Sequence, residues 1–428
     1  MSFRIANPSW RWIFLTLAVF VFLAVSYTAG RFAYADHLES SSQPEDWLRA
    51  TQLEPGNGAY WYKLGLYREL DIENGDLSKA IEYLTRASEL DPRSATYLMG
   101  LAGAYETAGQ PAKARQSYLS ALEVYPLSTE THWRYSSFLL RQGDSQHAFA
   151  EMHLALVGDR TLIPLAISRV WLETHEVQPL LTMVLPDDVD AYQQAVEWFC
   201  NARELDSALA AWKRLISLHK AIPIKNAFLL EDHLLNENRG DEARDVWQEA
   251  LTASGNGNEN PANGSLVFNG GFESDPVNGG LDWHLDSTQG ASFEFDTAAP
   301  HSGRRALRIK FDGTQNINFM GAWQIVPVDP GRHYRFEGFL RTSEITTDSG
   351  VRFTISFTGA DQAEIVLDNL TGDHPWTAQT AEFTPAAGVH VARITVSRSP
   401  SRKFDNKLAG TAWVDDVSLI PAGAISHP

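Results

Sequence analysis

Cysteine is almost absent from this chain, since Cys200 is the only one among 428 residues. An intramolecular disulfide is therefore excluded, and the cysteine content does not reveal the redox compartment. Cys200 ends the apolar run 196–200, and a lone thiol in such a run is more often a packing residue than a nucleophile.

Positive charge is also scarce: 35 lysines and arginines stand against 53 aspartates and glutamates, for a formal net charge of -18. Binding to phosphate backbones needs a basic surface, so DNA and RNA are not expected partners. The acidic excess otherwise indicates a solvated surface.

The common catalytic motifs are missing as well. The sequence has no G-x-S-x-G elbow, no H-E-x-x-H pair, no Walker loop and no dinucleotide-binding glycine pattern. Asp415 and Asp416 are paired carboxylates, but adjacent strand residues point to opposite faces and cannot flank one glycosidic bond. We therefore expect a protein that is not an enzyme.

One long apolar run is present near the N-terminus. Residues Trp12–Gly30 carry no charge, and their number is close to the roughly 20 that a membrane-spanning helix needs. Arg4 and Arg11 precede the run and acidic residues follow it, so the positive-inside rule leaves the N-terminus in the cytoplasm. We expect a cytoplasmic tail at 1–11, a transmembrane anchor at 12–30 and an extracytoplasmic body, in a bacterial inner membrane.

A cleaved signal peptide is the alternative to this anchor. Ala33-Tyr34-Ala35 is an A-x-A sequence of the kind that precedes a cleavage site. The apolar run is longer than the roughly 7–15 residues of a signal core, which favours an uncleaved anchor. Both interpretations export the body, and residues 31–44 then form a tether.

The stretch 95–126 alternates two apolar helical faces with chain breakers. Gly109-Gln110-Pro111 separates the two helices, and Pro126 ends the second. Small residues let the helices approach closely; they are Ala102, Ala114 and Ala121. This pattern resembles a tetratricopeptide (TPR) repeat, whose period is about 34 residues.

A single helix pair cannot bury its own apolar face, so copies are expected on either side. Similar pairs occur at 59–92 and 135–155, and Ala208 and Trp212 recur as Ala243 and Trp247. The sequence thus predicts an all-α TPR-like solenoid over 45–254. The resemblance implies a protein partner on its concave face.

The glycine- and asparagine-rich residues 255–264 are typical of a flexible linker, and beyond them the hydrophobic period changes to two. Many short alternating runs separated by turn residues predict a β-sandwich. Residues 265–421 resemble a carbohydrate-binding module of the galactose-binding-like jelly-roll type, followed by a tail at 422–428. The segments that carry this resemblance are Leu266–Glu273, Trp283, Ser302–Leu307, Trp323–Gln324, Pro330–Tyr334 and Trp413–Leu419. Fold alone does not establish sugar binding.

Asp415 is the most informative residue of the closing strand. Strand alternation predicts that it shares a face with Trp413 and Val417, where a carboxylate is costly unless it has a partner. The resemblance implies a structural Ca²⁺ ion bound by Asp415, Glu273 and backbone oxygens near Ser302, since hard oxygen ligands suit calcium. The alternative is that Asp415 accepts hydrogen bonds from loop amides or pairs with an arginine.

Sugar recognition needs an aromatic platform beside polar side chains. The candidates are Trp323, Gln324, Glu337, Arg341 and Trp376. The alternative is that the tryptophans pack in the core and the charged residues form surface ion pairs.

The sequence therefore predicts a multidomain protein with an N-terminal transmembrane helix, an all-α TPR solenoid and an all-β jelly-roll sandwich. We expect an envelope scaffold that binds a protein through the solenoid and a glycan through the sandwich, accessory to assembly or export of a surface polysaccharide. A purely structural adaptor without sugar binding is the main alternative, and a carbohydrate-active enzyme is a weaker one.

Overall fold

The computed structural model describes residues 8–41, 43–70, 75–255, 264–359 and 361–422. Two compact units make up the chain, Met1–Pro186 and Asp187–Pro428. Residues 256–263 of the expected linker at 255–264 and most of the two tails lie outside the described residues.

The first part of the chain is helical. Its α-helices are α1 (Pro8–Glu39), α2 (Pro44–Leu53), α3 (Gly58–Leu70), α4 (Leu77–Leu90), α5 (Ala95–Thr107), α6 (Pro111–Val124), α7 (Thr129–Arg141), α8 (Ser145–Gly158), α9 (Ile163–Thr174), α10 (Val177–Pro179), α11 (Val189–Asn201), α12 (Leu205–Ile216), α13 (Phe228–Asn236) and α14 (Gly240–Ala253). A π-helical segment, Leu180–Val184, follows α10, and short 3₁₀ turns lie at Arg160–Leu162 and Ile224–Asn226.

Helices α3 to α8 pack as three consecutive hairpins, as the repeat pattern predicts. The side-chain oxygens of Ser94 and Ser128 cap α5 and α7 by accepting backbone N–H groups of the first turn. Gly109 follows α5 with a φ of +67°, a left-handed conformation that suits glycine, and Pro111 begins α6. Ala102, Ala114 and Ala121 are fully buried between helices.

Most of the expected tether at 31–44 is helical in the structure. Helix α1 continues to Glu39, and its C-terminal end packs on α2 and α3. Ala35 and Leu38 are buried against Ala50 and Tyr60. The Tyr60 hydroxyl donates to Asp36, and Lys63 Nζ lies 2.7 Å from Glu39 Oε1. Side chains that bury apolar area and form ion pairs hold residues 31–39 in helical conformation.

The strands of the C-terminal part form two five-stranded antiparallel sheets. Their bounds are β1 (His284–Leu285), β2 (Ala291–Asp296), β3 (Ala306–Asp312), β4 (Phe319–Pro327), β5 (Tyr334–Ile345), β6 (Arg352–Thr358), β7 (Ile365–Val366), β8 (Gly372–Phe383), β9 (Val391–Arg398) and β10 (Ala409–Pro421). Sheet A has the order β1-β4-β9-β6-β7, and sheet B has the order β2-β3-β10-β5-β8. One apolar core lies between the sheets, with Phe336, Phe353 and Ile394 among its fully buried members.

Helices α13 and α14 pack on the sandwich within the second unit. The Trp247 and Phe268 rings meet edge to face with centroids 5.4 Å apart. Arg244 Nη1 donates to the Pro327 carbonyl at 3.0 Å. The last helical hairpin therefore joins the strands in one compact unit, although the sequence predicts a domain boundary after residue 254.

Glu231 of α13 is fully buried at this contact. Neither of its carboxylate oxygens has a hydrogen-bond partner among the described residues, and the same holds for Trp247 Nε1. Gly280, with a φ of +58°, approaches so closely that an added Cβ atom would lie 2.6 Å from Glu231 Oε2. Burial raises the pKa of the Glu231 carboxyl well above its ordinary value, and the neighbouring Asp232 carboxylate adds to the rise.

We predict that Glu231→Gln removes a pH-dependent loss of stability. The folded state binds the proton of Glu231 more tightly than the unfolded state does. The stability that comes from this bound proton is therefore complete below the ordinary pKa of 4.5 and is lost as pH rises through the raised pKa. By pH 8 the variant should exceed the wild type by on the order of 2 kcal/mol in the free energy of unfolding. Melting temperatures measured from pH 4 to 8 check this, with the exposed Glu237→Gln as the control. Parallel curves for wild type and Glu231→Gln would contradict it.

Candidate functional site

The outer face of sheet A carries polar side chains in register. Along β6, the outward Arg352, Thr354 and Ser356 alternate with buried Phe353 and Ile355. Because Arg352 is paired with Ser397 and Thr354 with Thr395, the polar residues of β6 and β9 form one continuous surface. A cleft of about 190 Å³ opens on this surface.

Trp323 of β4 stands beside this cleft. Its ring stacks on the His284 imidazole with centroids 3.8 Å apart and planes 6° from parallel. The guanidinium of Arg393 lies 3.9 Å from the same ring centroid. Two groups this near cannot share one side of the ring, so both faces of Trp323 are covered. Its indole N–H donates to Asp286.

Two of the three arginines that line the cleft have unused donors. The Nε atoms of Arg352 and Arg393 are buried and without a hydrogen-bond partner among the described residues. Arg352 Nη2 donates to Asn369 at 3.3 Å. Burial lowers the pKa of the Arg393 guanidinium, and the nearby Asp286 carboxylate opposes this only in part. Unused donors beside threonine and serine hydroxyls favour a ligand that is rich in oxygen acceptors.

The outer face of sheet B is partly covered by the segment 297–304. The His301 ring stacks on Phe339 with centroids 3.7 Å apart, and Trp376 meets it edge to face. Arg341 lies over the Trp413 ring, 4.6 Å from its centroid. A second, wider cavity of about 630 Å³ opens at this edge, with Arg341, His374 and Trp376 in its lining.

The five predicted glycan-binding residues do not form one site. Trp323 lies on the outer face of sheet A, whereas Glu337, Arg341 and Trp376 lie on sheet B. Gln324 points inward, is fully buried, and bonds through its side chain to both the N–H and the carbonyl of Phe268. The five residues therefore do not lie together, because the strands that carry them belong to different sheets, and glycan binding by any of them stays a prediction.

The predicted face of the closing strand is also corrected by a β-bulge. Asp416 has a φ of +46°, and the pairing of β10 with β5 shifts between Asp415 and Ser418. Val417 and Leu419 enter the core, but Trp413 and Asp415 lie on the outer side. Asp415 is nevertheless fully buried.

The carboxylate of Asp415 accepts three backbone N–H groups. Oδ2 accepts from His301 at 2.8 Å and from Ser302 at 3.3 Å, and Oδ1 accepts from Asp416 at 2.8 Å. Burial and the Asp416 carboxylate raise the pKa of Asp415 to about 6 despite these bonds. Glu273 Oε1 similarly accepts from the N–H of Arg304 at 2.7 Å.

These bonds bear on the predicted calcium ion. The structure places both Glu273 and Asp415 near Gly271. Their oxygens face N–H donors, which are not metal ligands, and no group of three or more His, Cys, Asp or Glu in the described ranges is arranged to hold a metal. Asp415 thus accepts hydrogen bonds from loop amides, as the alternative interpretation expects, and the calcium ion stays a prediction.

The solenoid contributes a groove between α7 and α9 in the first unit. It has a volume of about 450 Å³, and Leu140, Leu165 and Leu172 line it together with Arg169. The Arg169 guanidinium lies over the Trp133 ring at 4.7 Å, and burial lowers its pKa. Apolar side chains beside a cation suit a peptide segment with an acidic group.

Cys200 of α11 is fully buried. Burial raises the pKa of its thiol to about 12, so the thiolate is not formed at neutral pH. This favours the packing role that its apolar surroundings predict.

The polar residues of β9 were not among the predicted candidates. Buried Ala392, Ile394 and Val396 identify the inward face of β9, so alternation alone assigns Arg393 and Ser397 to the outer face. That β9 lies beside β6 depends on strand order, which alternation does not reveal.

Comparison with protein families finds the tetratricopeptide repeat over residues 69–129 and 104–159. The chain therefore carries TPR repeats. A search of curated proteins returned no match.

Among solved structures, three similarities are of low identity. The enzymatically active domain of tailspike protein 4 of bacteriophage CBA120 is 16% identical over 37% of this chain and 21% of its own, with a TM-score of 0.28. YrrB, a TPR protein with an unusual peptide-binding site, is 14% identical over 50% of this chain and 94% of its own, with a TM-score of 0.26. The C-terminal family 22 carbohydrate-binding module of Clostridium thermocellum Xyn10B is 13% identical over 39% and 99%, with a TM-score of 0.28. Similarities at this level carry no argument about function.

We predict that Asp415→Asn lowers the free energy of unfolding by about 1–3 kcal/mol, because an amide group cannot accept all three N–H donors. Thermal melting with Ca²⁺ and with EDTA measures the effect and tests the ion in the same experiment. A rise of the wild-type melting temperature with Ca²⁺ that Asp415→Asn lacks would establish a calcium site. Equal melting of the two proteins under both conditions would contradict the structural role of Asp415.

Proposed function

We propose that this protein is a non-enzymatic, membrane-anchored envelope scaffold whose solenoid binds a protein and whose sandwich binds a glycan. The observation that carries the glycan part is the outer face of sheet A. There, hydroxyls of Thr354 and Ser397 lie beside two arginine Nε donors without partners among the described residues. Sugar recognition uses such clusters of hydrogen-bonding side chains at a cleft.

The anchor is proposed from α1. Among the described residues it is the one helix long and apolar enough to cross a membrane. Its end packs on the first repeat, and Ala35 of the A-x-A sequence is fully buried there. A cleavage site enclosed in this contact favours an uncleaved anchor, with the charge of Arg4 and Arg11 keeping the N-terminus in the cytoplasm.

The solenoid's partner is proposed to bind in the groove between α7 and α9. TPR repeats stack into surfaces that bind peptides and proteins. Arg169 has the Trp133 ring and the Ser137 hydroxyl as neighbours and no ion pair with a described carboxylate. A partner segment with an acidic side chain beside apolar ones would complement these residues.

A scaffold that joins a glycan-binding module to a protein-binding one at the membrane suits assembly or export of a surface polysaccharide. The structural adaptor remains the alternative, in which the sandwich binds a protein and no sugar. The two proposals differ in one expected result: an adaptor retains no glycan after purification, whereas the scaffold does.

We predict that Thr354→Trp abolishes glycan binding, because an indole at this outward position fills the cleft of sheet A. The matched control is Ser343→Trp, which fills the cavity at the edge of sheet B. Glycan-array binding of the full chain in detergent is the measurement, and melting temperatures verify that both variants are folded.

Binding should fall at least tenfold for Thr354→Trp and stay unchanged for Ser343→Trp. The reverse result would move the site to sheet B. No retention of any glycan by the wild type would favour the adaptor.

For the anchor, we predict that the membrane-bound protein keeps its original N-terminus and that protease added to spheroplasts digests its body. N-terminal sequencing and immunoblotting measure these two outcomes. A mature chain that begins at Asp36 would show cleavage. Protection from protease until the spheroplasts are lysed would place the body in the cytosol.

A further inference from the structure

Five of the ten arginines of the sandwich have a carboxylate partner. Ion pairs join the following residues: Arg304 and Glu273, Arg305 and Asp275, Arg308 and Glu294, Arg332 and Asp329, Arg335 and Glu337. The other five form no ion pair among the described residues, although acidic residues outnumber basic ones in the chain. Of these five, Arg352 and Arg393 have a buried Nε atom without a hydrogen-bond partner. In an acidic protein, two guanidinium groups without an ion pair on one face favour a negative group from outside as their partner.

The two arginines stand at opposite ends of one polar surface. Arg352 is paired with Ser397, and Arg393 is paired with Ser356, four residues further along β6. This offset separates the two positions by about 13 Å along the strands. A ligand that reaches both is longer than one sugar ring, so a chain of sugars fits and a monosaccharide does not.

Hydroxyl groups fill the space between the two cations. Thr354 Oγ1 and Ser397 Oγ lie 2.7 Å apart, and Thr395 is paired with Thr354 across the strands. Hydroxyls can both donate to and accept from the hydroxyls of a sugar chain. The surface thus combines neutral contacts along its middle with a positive charge at each end.

Two carboxylates lie near this surface. Asp286 accepts the indole N–H of Trp323 at 2.7 Å, and Glu364 lies at the exposed rim of the cleft. Neither forms an ion pair with Arg352 or Arg393 within the described part of the chain. They leave both guanidinium groups without an ion pair and oppose anions that do not sit directly on these groups.

We infer that the cleft of sheet A binds an acidic polysaccharide, with carboxylate groups of uronic acid residues on Arg352 and Arg393. A carboxylate accepts two parallel hydrogen bonds from a guanidinium group, which an alcohol group does not. This inference rests on the proposed glycan binding and names the chemical class of the glycan.

The test uses polygalacturonate and the same polymer after chemical reduction of its carboxyl groups to alcohols. Retention of the full chain in detergent is compared on gels that contain each polymer, for the wild type and for Arg352→Gln and Arg393→Gln. The control is Arg335→Gln, which removes an arginine from the outer face of sheet B. Melting temperatures verify that the variants are folded.

We expect the wild type to bind polygalacturonate at least tenfold more tightly than the reduced polymer, with the preference falling as salt is added. Each of the two cleft variants should lose at least tenfold of this binding, whereas Arg335→Gln should keep it. Equal binding of both polymers would overturn the inference and leave glycan binding intact. Binding of neither polymer would overturn the inference, and an array without any retained glycan would overturn glycan binding itself.

Discussion

The pairing of β10 is the constraint on which the sandwich depends. This strand pairs with β3 on one edge and β5 on the other, and the Leu266 N–H of the opening segment bonds to the Leu419 carbonyl. A strand paired on both edges cannot slip by one residue without exchanging its inward and outward side chains. The bulge at Asp415 and Asp416 is the place where its register with β5 changes, and it brings Asp415 under the loop amides.

Antiparallel strands that bury one face in the core leave the other face available to bind a ligand. In sheet B, the segment 297–304 and the aromatic rings of Phe339 and Trp376 occupy much of that outer face. In sheet A, β6 and β9 present hydroxyl and guanidinium groups instead. The two sheets thus differ in what they offer to a ligand, although each buries the same kind of apolar side chain.

The helical hairpins could be predicted because their signals are local. Glycine after α5, proline at the start of α6 and alanines at close contacts lie within one repeat and need no knowledge of distant residues. Strand alternation likewise identifies Phe336 and Phe353 as core residues.

The candidate site could be predicted only in part, because it depends on which strands are neighbours. Trp323 and Trp376 look equivalent in sequence, but strand order places them on different sheets. The bulge in β10 has an aspartate, not a glycine, at its left-handed position, so the sequence gives no signal for it. Gln324 lies between outward residues of β4, and its role appears only when the Phe268 backbone is beside it.

Helix α1 has a mechanical consequence. Its 32 residues extend about 48 Å at 1.5 Å per residue, which exceeds the roughly 30 Å of a bilayer's hydrocarbon by about 18 Å. Most of this surplus is residues 31–39, where the side chains of Asp36 and Glu39 bond to α3. In the proposed anchor, α1 continues without a break from the membrane-spanning residues to its contact with α2 and α3, so a rotation of the span about its own axis would rotate these helices with it.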